Sequence, residues 1–344
     1  MTKADFLAWP SRSGLGLETG KHTNYTGIMI NFLTARVARH WYRRAKLAGA
    51  KGDKKLQHEY RCRAVRLDPK LNETHLHVAQ NWPGRFSSRM AATSWVISRS
   101  DEIQAMRARL SDPIGGPRKV YSFWNSGAAH APEIVRRCFE ASRAQHGADL
   151  TLLDDHNLAD FWDVPTGLPP QLVANKAWYS DVLRVGLLYR YGGVWLDATC
   201  YPVTNLLDTF PDDRCVYFAR PKAKALISNW ALSAPAGNVI MSTMYAALLV
   251  YWAEEERPNL GYFMFHSIFE ALAFAFEDFG REAQKAVVLK RSLPHFLQRS
   301  FHKKLSPEKI SSLLDKAPVH KFTHKHQIPK PDTVLDKVLS GSLS

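Results

Sequence analysis

The chain has 344 residues, 45% of them hydrophobic, which is enough core for one large domain or a catalytic domain with a smaller addition and excludes a disordered protein. Its net charge of +14 is unevenly placed: residues 1–118 hold 21 Lys and Arg against 9 Asp and Glu, and residues 119–344 hold 25 against 23. Cys62, Cys138, Cys200 and Cys215 form neither a C-x-x-C pair nor a zinc spacing, the usage of a reduced cytosolic protein with structural thiols. The start, Met1–Gly14, lacks a signal-peptide core, and no apolar run approaches the roughly 20 residues of a membrane span. The expected location is the cytoplasm, with peripheral contact at the inner membrane face as an addition.

Residues 1–23 are polar and Gly-rich and read as a mobile lead-in. From Tyr25 to about Ala48, Ile28, Ile30, Phe32, Leu33, Val37 and Trp41 interleave with Arg36, Arg39, Arg43, Arg44 and Lys46, predicting a basic amphipathic helix. A second helix is predicted over Lys54–Leu67, ahead of Asp68 and Pro69, and a third around Asn72–Gln80. The run R-A-V-R-L-D-P at Arg63–Pro69 resembles half of a tetratricopeptide-type hairpin, but such repeats stack in several copies and one is present. Residues 24–111 are therefore expected to be a helical extension packed on the larger C-terminal domain, with a partner-binding or membrane-surface arm as the alternative. D-P-I-G-G-P at Asp112–Pro117 reads as a linker, placed at residues 112–118.

After the linker, short apolar strands alternate with helices, the pattern of a layered α/β domain, here residues 119–326. Strands are predicted at Val120–Trp124, Leu150–Leu153, Val194–Leu196, Cys215–Ala219 and Val287–Leu289. Helices are predicted at Ala177–Tyr191, Val239–Glu255, Phe263–Phe276 and Ser306–Leu314, the last with Ser306 as cap and Pro307 in first position. The tail, residues 327–344, is rich in Pro, Lys and Ser and is expected to be poorly ordered.

The stretch Asn175–Asn205 carries the chemistry. Its helix is apolar on two sides, Trp178, Val182, Val185 and Tyr189 on one and Leu183 and Leu187 on the other, so it belongs between layers. Asp181 and Arg184 would then need partners, and three positions apart they reach each other or share a ligand. A salt bridge that merely fixes the helix is the alternative. Gly192 and Gly193 end the helix, and Asp197 falls where the following strand stops, the edge at which ligands collect in open α/β sheets. A carboxylate there holds a divalent cation or a sugar hydroxyl, or else caps a neighbouring loop.

Several runs together resemble the capsular-polysaccharide-synthesis, glycosyltransferase family 32-like group. They are S-D-x-L-R (Ser180, Asp181, Leu183, Arg184), Y-G-G-x-W-L-D-A-T (Tyr191–Thr199), A-P-E-I-V (Ala131–Val135), the strand end with Asp154, Asp155 and Asn157, and V-H-K-F-T (Val319–Thr323). The resemblance spans roughly Lys119 to Lys325 and implies a GT-A, Rossmann-like nucleotide-diphospho-sugar transferase fold. It further implies a hexosyltransferase moving sugar from a nucleotide diphosphate, UDP-linked by default and GDP-mannose as the alternative, to a glycan or lipid-linked acceptor in surface polysaccharide synthesis, with retention.

The resemblance assigns Mn²⁺ or Mg²⁺ to Asp197, Thr199 and His320, with Asp197, Asp181 and Arg184 as the catalytic group. Phe123, Trp124, Lys321 and Asn229 join Asp181 and Arg184 around the donor, and Trp230, Tyr262 and His266 form an acceptor or sugar wall. His324 and His326 fit a solvated basic tail. The wider superfamily carries D-x-D where this chain has Asp197, Ala198, Thr199, the form usual in the capsular subgroup. No carboxylate is an obvious covalent nucleophile, so a same-face displacement, in which the departing phosphate accepts the acceptor's proton, is expected. A non-catalytic nucleotide-sugar-binding scaffold is one rival reading, prompted by the missing second acid. A basic nucleic-acid-binding protein is another, but it leaves Asn175–Asn205 without purpose, and no nucleic-acid partner is expected.

Overall fold

The computed structural model describes residues 40–48, 50–53, 56–57, 60 and 64 and, from Arg85 on, all but 162–164, 166–167, 220–226, 326–327 and 344. The lead-in, the helix expected at Asn72–Gln80, Cys62 and His326 lie outside the described residues. Of the basic helix expected to end near Ala48, residues 40–48 are helical.

Among the described residues from Arg85 on, the longer helices are α1 Arg85–Ser98, α2 Ser100–Ala108, α3 Glu133–His146, α4 Lys176–Tyr191, α5 Val239–Ala253, α6 Met264–Ala275, α7 Glu277–Lys285, α8 Pro307–Leu314 and α9 Val334–Ser340. The strands are β1 Val120–Phe123, β2 Leu150–Leu153, β3 Gly193–Leu196, β4 Cys200–Pro202, β5 Val216–Ala219, β6 Ser228–Ala234, β7 Val287–Lys290 and β8 Val319–Lys321. Six of them form one sheet in the order β2-β1-β3-β6-β5-β7, with β4 and β8 paired apart. Only β6 runs against its neighbours in the large sheet, so β1, β2, β3, β5 and β7 all end at one edge. The result is a mixed α/β layered fold of Rossmann-like kind.

The sheet is covered on both faces, which is why its strands read as continuous apolar runs. Trp195, Tyr217 and Leu232 pack with α4, α5 and α6, while Val194, Leu196, Val216 and Phe218 fill the opposite side. The central helix α4 starts where the Asn175 side chain accepts the N–H of Trp178, and it stops at Gly192, whose φ is +70°. Gly193, at φ +99°, lies so close to β1 that a Cβ would meet the Lys119 carbonyl at 2.3 Å. Only glycine permits this approach, and it lets Val194 donate to that carbonyl at 2.9 Å and join the sheet.

The segment 112–118 does not separate two cores: Ala92, Trp95, Val96 and Ile103 of α1 and α2 share one buried cluster with Leu187, Leu248 and Phe269, so these helices pack on the larger domain. The Trp95 indole N–H donates to Glu254 at 2.6 Å and Arg99 pairs with the same carboxylate at 2.6 Å. The linker itself is tied down, with Ile114 and Gly115 donating to the Arg190 carbonyl at 2.8 and 3.1 Å. Nor is the tail poorly ordered, since α9 buries Val334, Leu335 and Val338 in one cluster with Ile134, Val135 and Cys138 of α3. Its composition hid ordinary helix signals: Thr333 accepts the N–H of Asp336 as N-cap, and Gly341 closes the helix in the left-handed region.

Leu335 is fully buried. Leu335→Ala should therefore lower the unfolding free energy by about 2–5 kcal/mol, read by urea denaturation, whereas a disordered tail would leave it unchanged.

Candidate active site

The carboxyl edge of the parallel strands gathers a single charged network. Asp197 follows β3, and its N–H donates to the Trp230 carbonyl at 2.8 Å, which holds the residue at the sheet edge. Its Oδ1 accepts Arg184 Nη2 at 3.1 Å and the Trp195 indole N–H at 3.0 Å, and its Oδ2 accepts Lys321 Nζ at 3.0 Å. Lys321 Nζ also donates to Thr199 Oγ1 at 2.6 Å. The other arm of Arg184 donates to Asp181 Oδ1, which accepts Asn229 Nδ2 at 2.7 Å as well. Ser180 Oγ accepts Arg184 Nη2 at 3.1 Å, one turn back on α4. The guanidinium carbon lies 5.4 Å from the Trp195 ring centre and 5.9 Å from that of Phe265.

The centre of this chain of contacts is sealed, while Asp197 and Lys321 on one side and Asn229 and Ser180 on the other are partly open to solvent. The Asp181 and Arg184 side chains are 7% and 4% exposed, against 27% for Asp197 and 16% for Lys321. Burial pushes the Asp181 carboxyl up to about 6, although Arg184 and Asn229 pull it down. Burial also works to raise Asp197, but Lys321, Arg184 and the Trp195 indole outweigh it and hold that carboxyl down to about 2. For Lys321, burial lowers the ammonium's pKa and Asp197 more than offsets the effect, so the net shift is upward. Asp197 and Lys321 are thus both charged at neutral pH, and they form one partly open side.

Of the residues singled out in the sequence, Asp181, Arg184, Asp197, Thr199, Asn229 and Lys321 are brought together. Others are not. His320 precedes Lys321 on β8, and neighbours on a strand face opposite ways; its Nε2 contacts the Leu314 carbonyl at 3.0 Å, and it is fully buried away from Asp197. Phe123 is a core residue whose ring lies 6.2 Å from Tyr179, while Trp124, half-buried beyond β1, meets the His324 ring at 5.4 Å. Trp230 is stacked on Phe218 at 4.6 Å inside the sheet's far cluster rather than lining an open wall. Tyr262 stands 73% exposed against its neighbour Phe263, and His266 is buried beside the Phe263 and Phe265 rings.

Sequence reasoning missed Trp195 as a donor to Asp197 and missed the basic loop after β7. Half-buried His295 meets the Trp230 ring edge-on at 5.8 Å. Burial, then Arg291, Lys321 and Arg299, hold its imidazole down to about 4. The Pro294 carbonyl accepts the N–H of Lys321 at 3.0 Å, which docks this loop on β8. The signal available was the position of Arg291, directly past a strand end at the ligand edge. A separate cavity of about 270 Å³ lies between the start of α4 and the α5–α6 connection, lined by Trp178, Trp252, Arg257 and Asn259 among others, and none of the network residues lines it.

Asp197, Thr199 and His320, the residues expected to share an ion, do not converge on one point. Both Asp197 oxygens are engaged by cations or an N–H, Thr199 accepts from Lys321, and His320 faces elsewhere. Among the described residues, no group of three or more His, Cys, Asp or Glu side chains is placed to hold an ion. Cys138, Cys200 and Cys215 are buried free thiols.

A family model described as "Capsular polysaccharide synthesis protein" matches residues 98–338. The chain belongs to that family. Searches among curated proteins and among solved structures give no match. The family span takes in α2, in keeping with the core that helix shares with the sheet, and runs into α9, the tail helix. Family membership points to a biosynthetic role in surface polysaccharide. No helix among the described residues is long and apolar enough to cross a membrane.

The two carboxylates carry opposite pH signatures. A free Asp ionises near about 3.9, so the raised Asp181 contributes stability in full below about pH 4 and loses it as pH rises through about 6. The depressed Asp197 contributes stability above about pH 4 and loses it as pH falls through about 2. Asp181→Asn should therefore gain on the wild type as pH rises from about 4 to about 6 and keep a constant offset above that. Urea denaturation of both proteins across this range checks it, and a flat difference contradicts it.

Proposed function

We propose that the protein is a glycosyltransferase of the GT-A type that moves a hexose from a nucleotide diphosphate, UDP-linked in the first instance, to a glycan or lipid-linked acceptor. The observation that carries this reading is the continuous network from Asn229 through Asp181, Arg184 and Asp197 to Lys321, sealed at Asp181 and Arg184 and partly open at Asp197 and Lys321. A carboxylate at that end accepts hydroxyls of a sugar, and an ammonium beside it meets phosphate oxygens. The loop after β7 supplies further positive charge near Lys321 through Arg291 and Arg299, with His295 between them held neutral, which favours a diphosphate over a neutral ligand.

Holding charge that develops on a leaving phosphate is a task for preorganised cations and N–H groups. In the proposed step the donor's C1–O bond breaks and its electron pair passes to the phosphate oxygen. The acceptor oxygen forms the new bond to C1, and its proton passes to that phosphate oxygen on the same face. Retention follows, with no separate base. Arg184 holds Asp197 and Asp181 in register, so the donor meets a rigid rather than an adaptable surface. The basic N-terminal third, with 21 Lys and Arg against 9 Asp and Glu in residues 1–118, supports peripheral contact with an anionic membrane face where a lipid-linked acceptor is presented.

A nucleotide sugar that binds the native state should raise the melting temperature in a screen of UDP- and GDP-linked hexoses run with and without Mn²⁺. With the donor so identified, Asp197→Ala should lower hexose transfer or donor hydrolysis by about 10²–10³-fold while the far-UV spectrum stays native. Binding without turnover in the wild type would favour a scaffold instead, and stabilisation by no donor at all would remove the reading.

A further inference from the structure

Where the wider superfamily has a second acid, this chain has Thr199, and its hydroxyl does not face open space. Lys321 Nζ stands 2.6 Å from Thr199 Oγ1 and 3.0 Å from Asp197 Oδ2, between the two positions that would otherwise share a metal ion. We propose that the Lys321 ammonium is the built-in cation of this site and takes the place of Mn²⁺ or Mg²⁺ against the donor's diphosphate. The inference rests on the transferase reading above and specifies how that site handles phosphate charge.

The charge count favours it. Asp197 already accepts from two cations, Arg184 at 3.1 Å and Lys321 at 3.0 Å, and Arg184 also pairs with Asp181, so the network is balanced as it stands and a divalent ion at Asp197 would sit against the Lys321 ammonium or displace it. Magnesium also demands near-octahedral oxygens at about 2.0–2.1 Å, and one engaged carboxylate with one engaged hydroxyl is a poor start on that shell.

Backbone geometry delivers the ammonium. In the β4–β8 pair Cys200 stands opposite Lys321, and the N–H of Phe322 donates to the Thr199 carbonyl at 2.8 Å, so Lys321 is anchored on both sides of its Cα. An ammonium has three N–H donors. Asp197 and Thr199 take two, which leaves one for a phosphate oxygen at this partly open side of the network. His295, near enough to Lys321 and Arg291 for their charge to lower its imidazole, has its Nε2 buried without a hydrogen-bond partner. In the transfer step Lys321 keeps its proton: it donates a hydrogen bond to the phosphate that receives the C1–O electron pair, and the acceptor's proton goes to that phosphate.

The test uses the full chain. Free Mn²⁺ is titrated by electron paramagnetic resonance against the wild type, and the donor-induced melting shift is compared in EDTA and in Mn²⁺. The expected result is no stoichiometric Mn²⁺ uptake, the same donor shift in both media, and a donor affinity about 100-fold or more weaker in Lys321→Met, with part of it restored in Lys321→Arg. Uptake of one Mn²⁺ at sub-millimolar concentration that Asp197→Asn abolishes overturns the proposal, as does a donor shift that requires Mn²⁺. Neither of those two readings depends on a variant at Lys321 folding. Both outcomes leave the transferase reading standing, whereas stabilisation by no donor in either medium sinks both together.

Discussion

The carboxylate of Asp197 is where groups from a helix and two strands meet. Arg184 arrives from the central helix α4, Trp195 from β3 two residues earlier, and Lys321 from β8, 124 positions along the sequence. Each of these groups alone would be costly to bury, and each is acceptable because the others satisfy it. Remove the aspartate and the Arg184 and Lys321 cations lose the charge between them; remove either cation and a half-buried carboxylate loses one of its two partners. The site is therefore cooperative, and its geometry is set by mutual satisfaction rather than by any single contact.

Apolar packing holds that polar cluster in place. The large sheet is sealed on both faces, with Trp195 directed to one core and Val194 and Leu196 to the other, so β3 cannot shift without disturbing both. The Gly192–Gly193 turn lets the chain leave α4 and enter the sheet within two residues, and this keeps Arg184 within reach of the strand end it serves. Helices α1 and α2 cover the outer side of α5 and α6, so the basic N-terminal third and the α/β core are continuous at this junction. Charge lies on the surface whereas the shared core is apolar, so the change in charge near residue 118 does not mark an edge of the core.

Burial also separates the two acids. Asp181, deepest in the network, is pushed up to about 6, and Asp197, between two cations, is held down to about 2. Two chemically identical side chains thereby acquire different tasks: one maintains a hydrogen-bonded interior, and the other offers a permanent negative charge beside a permanent positive one. A site of that polarity suits a ligand with both hydroxyls and phosphates, and it makes less call on an external cation than two neighbouring carboxylates would.

Local signals were legible in the sequence. The helical period placed Asp181 and Arg184 one turn apart, the paired glycines marked the turn, and the strand end located Asp197, all within thirty-one consecutive residues, Asn175 to Asn205. The alternation of helices and strands pointed to the mixed α/β class for the same reason, because periodicity is a property of neighbours along the chain. The tertiary structure decided what depends on facing. It turned Lys321 to Asp197 and His320 to the Leu314 carbonyl, seated Trp230 on Phe218, and brought the loop of His295 against β8. Those outcomes follow from the β4–β8 register and from which side of each strand meets a core, and long-range pairing of that kind leaves no mark in local spacing.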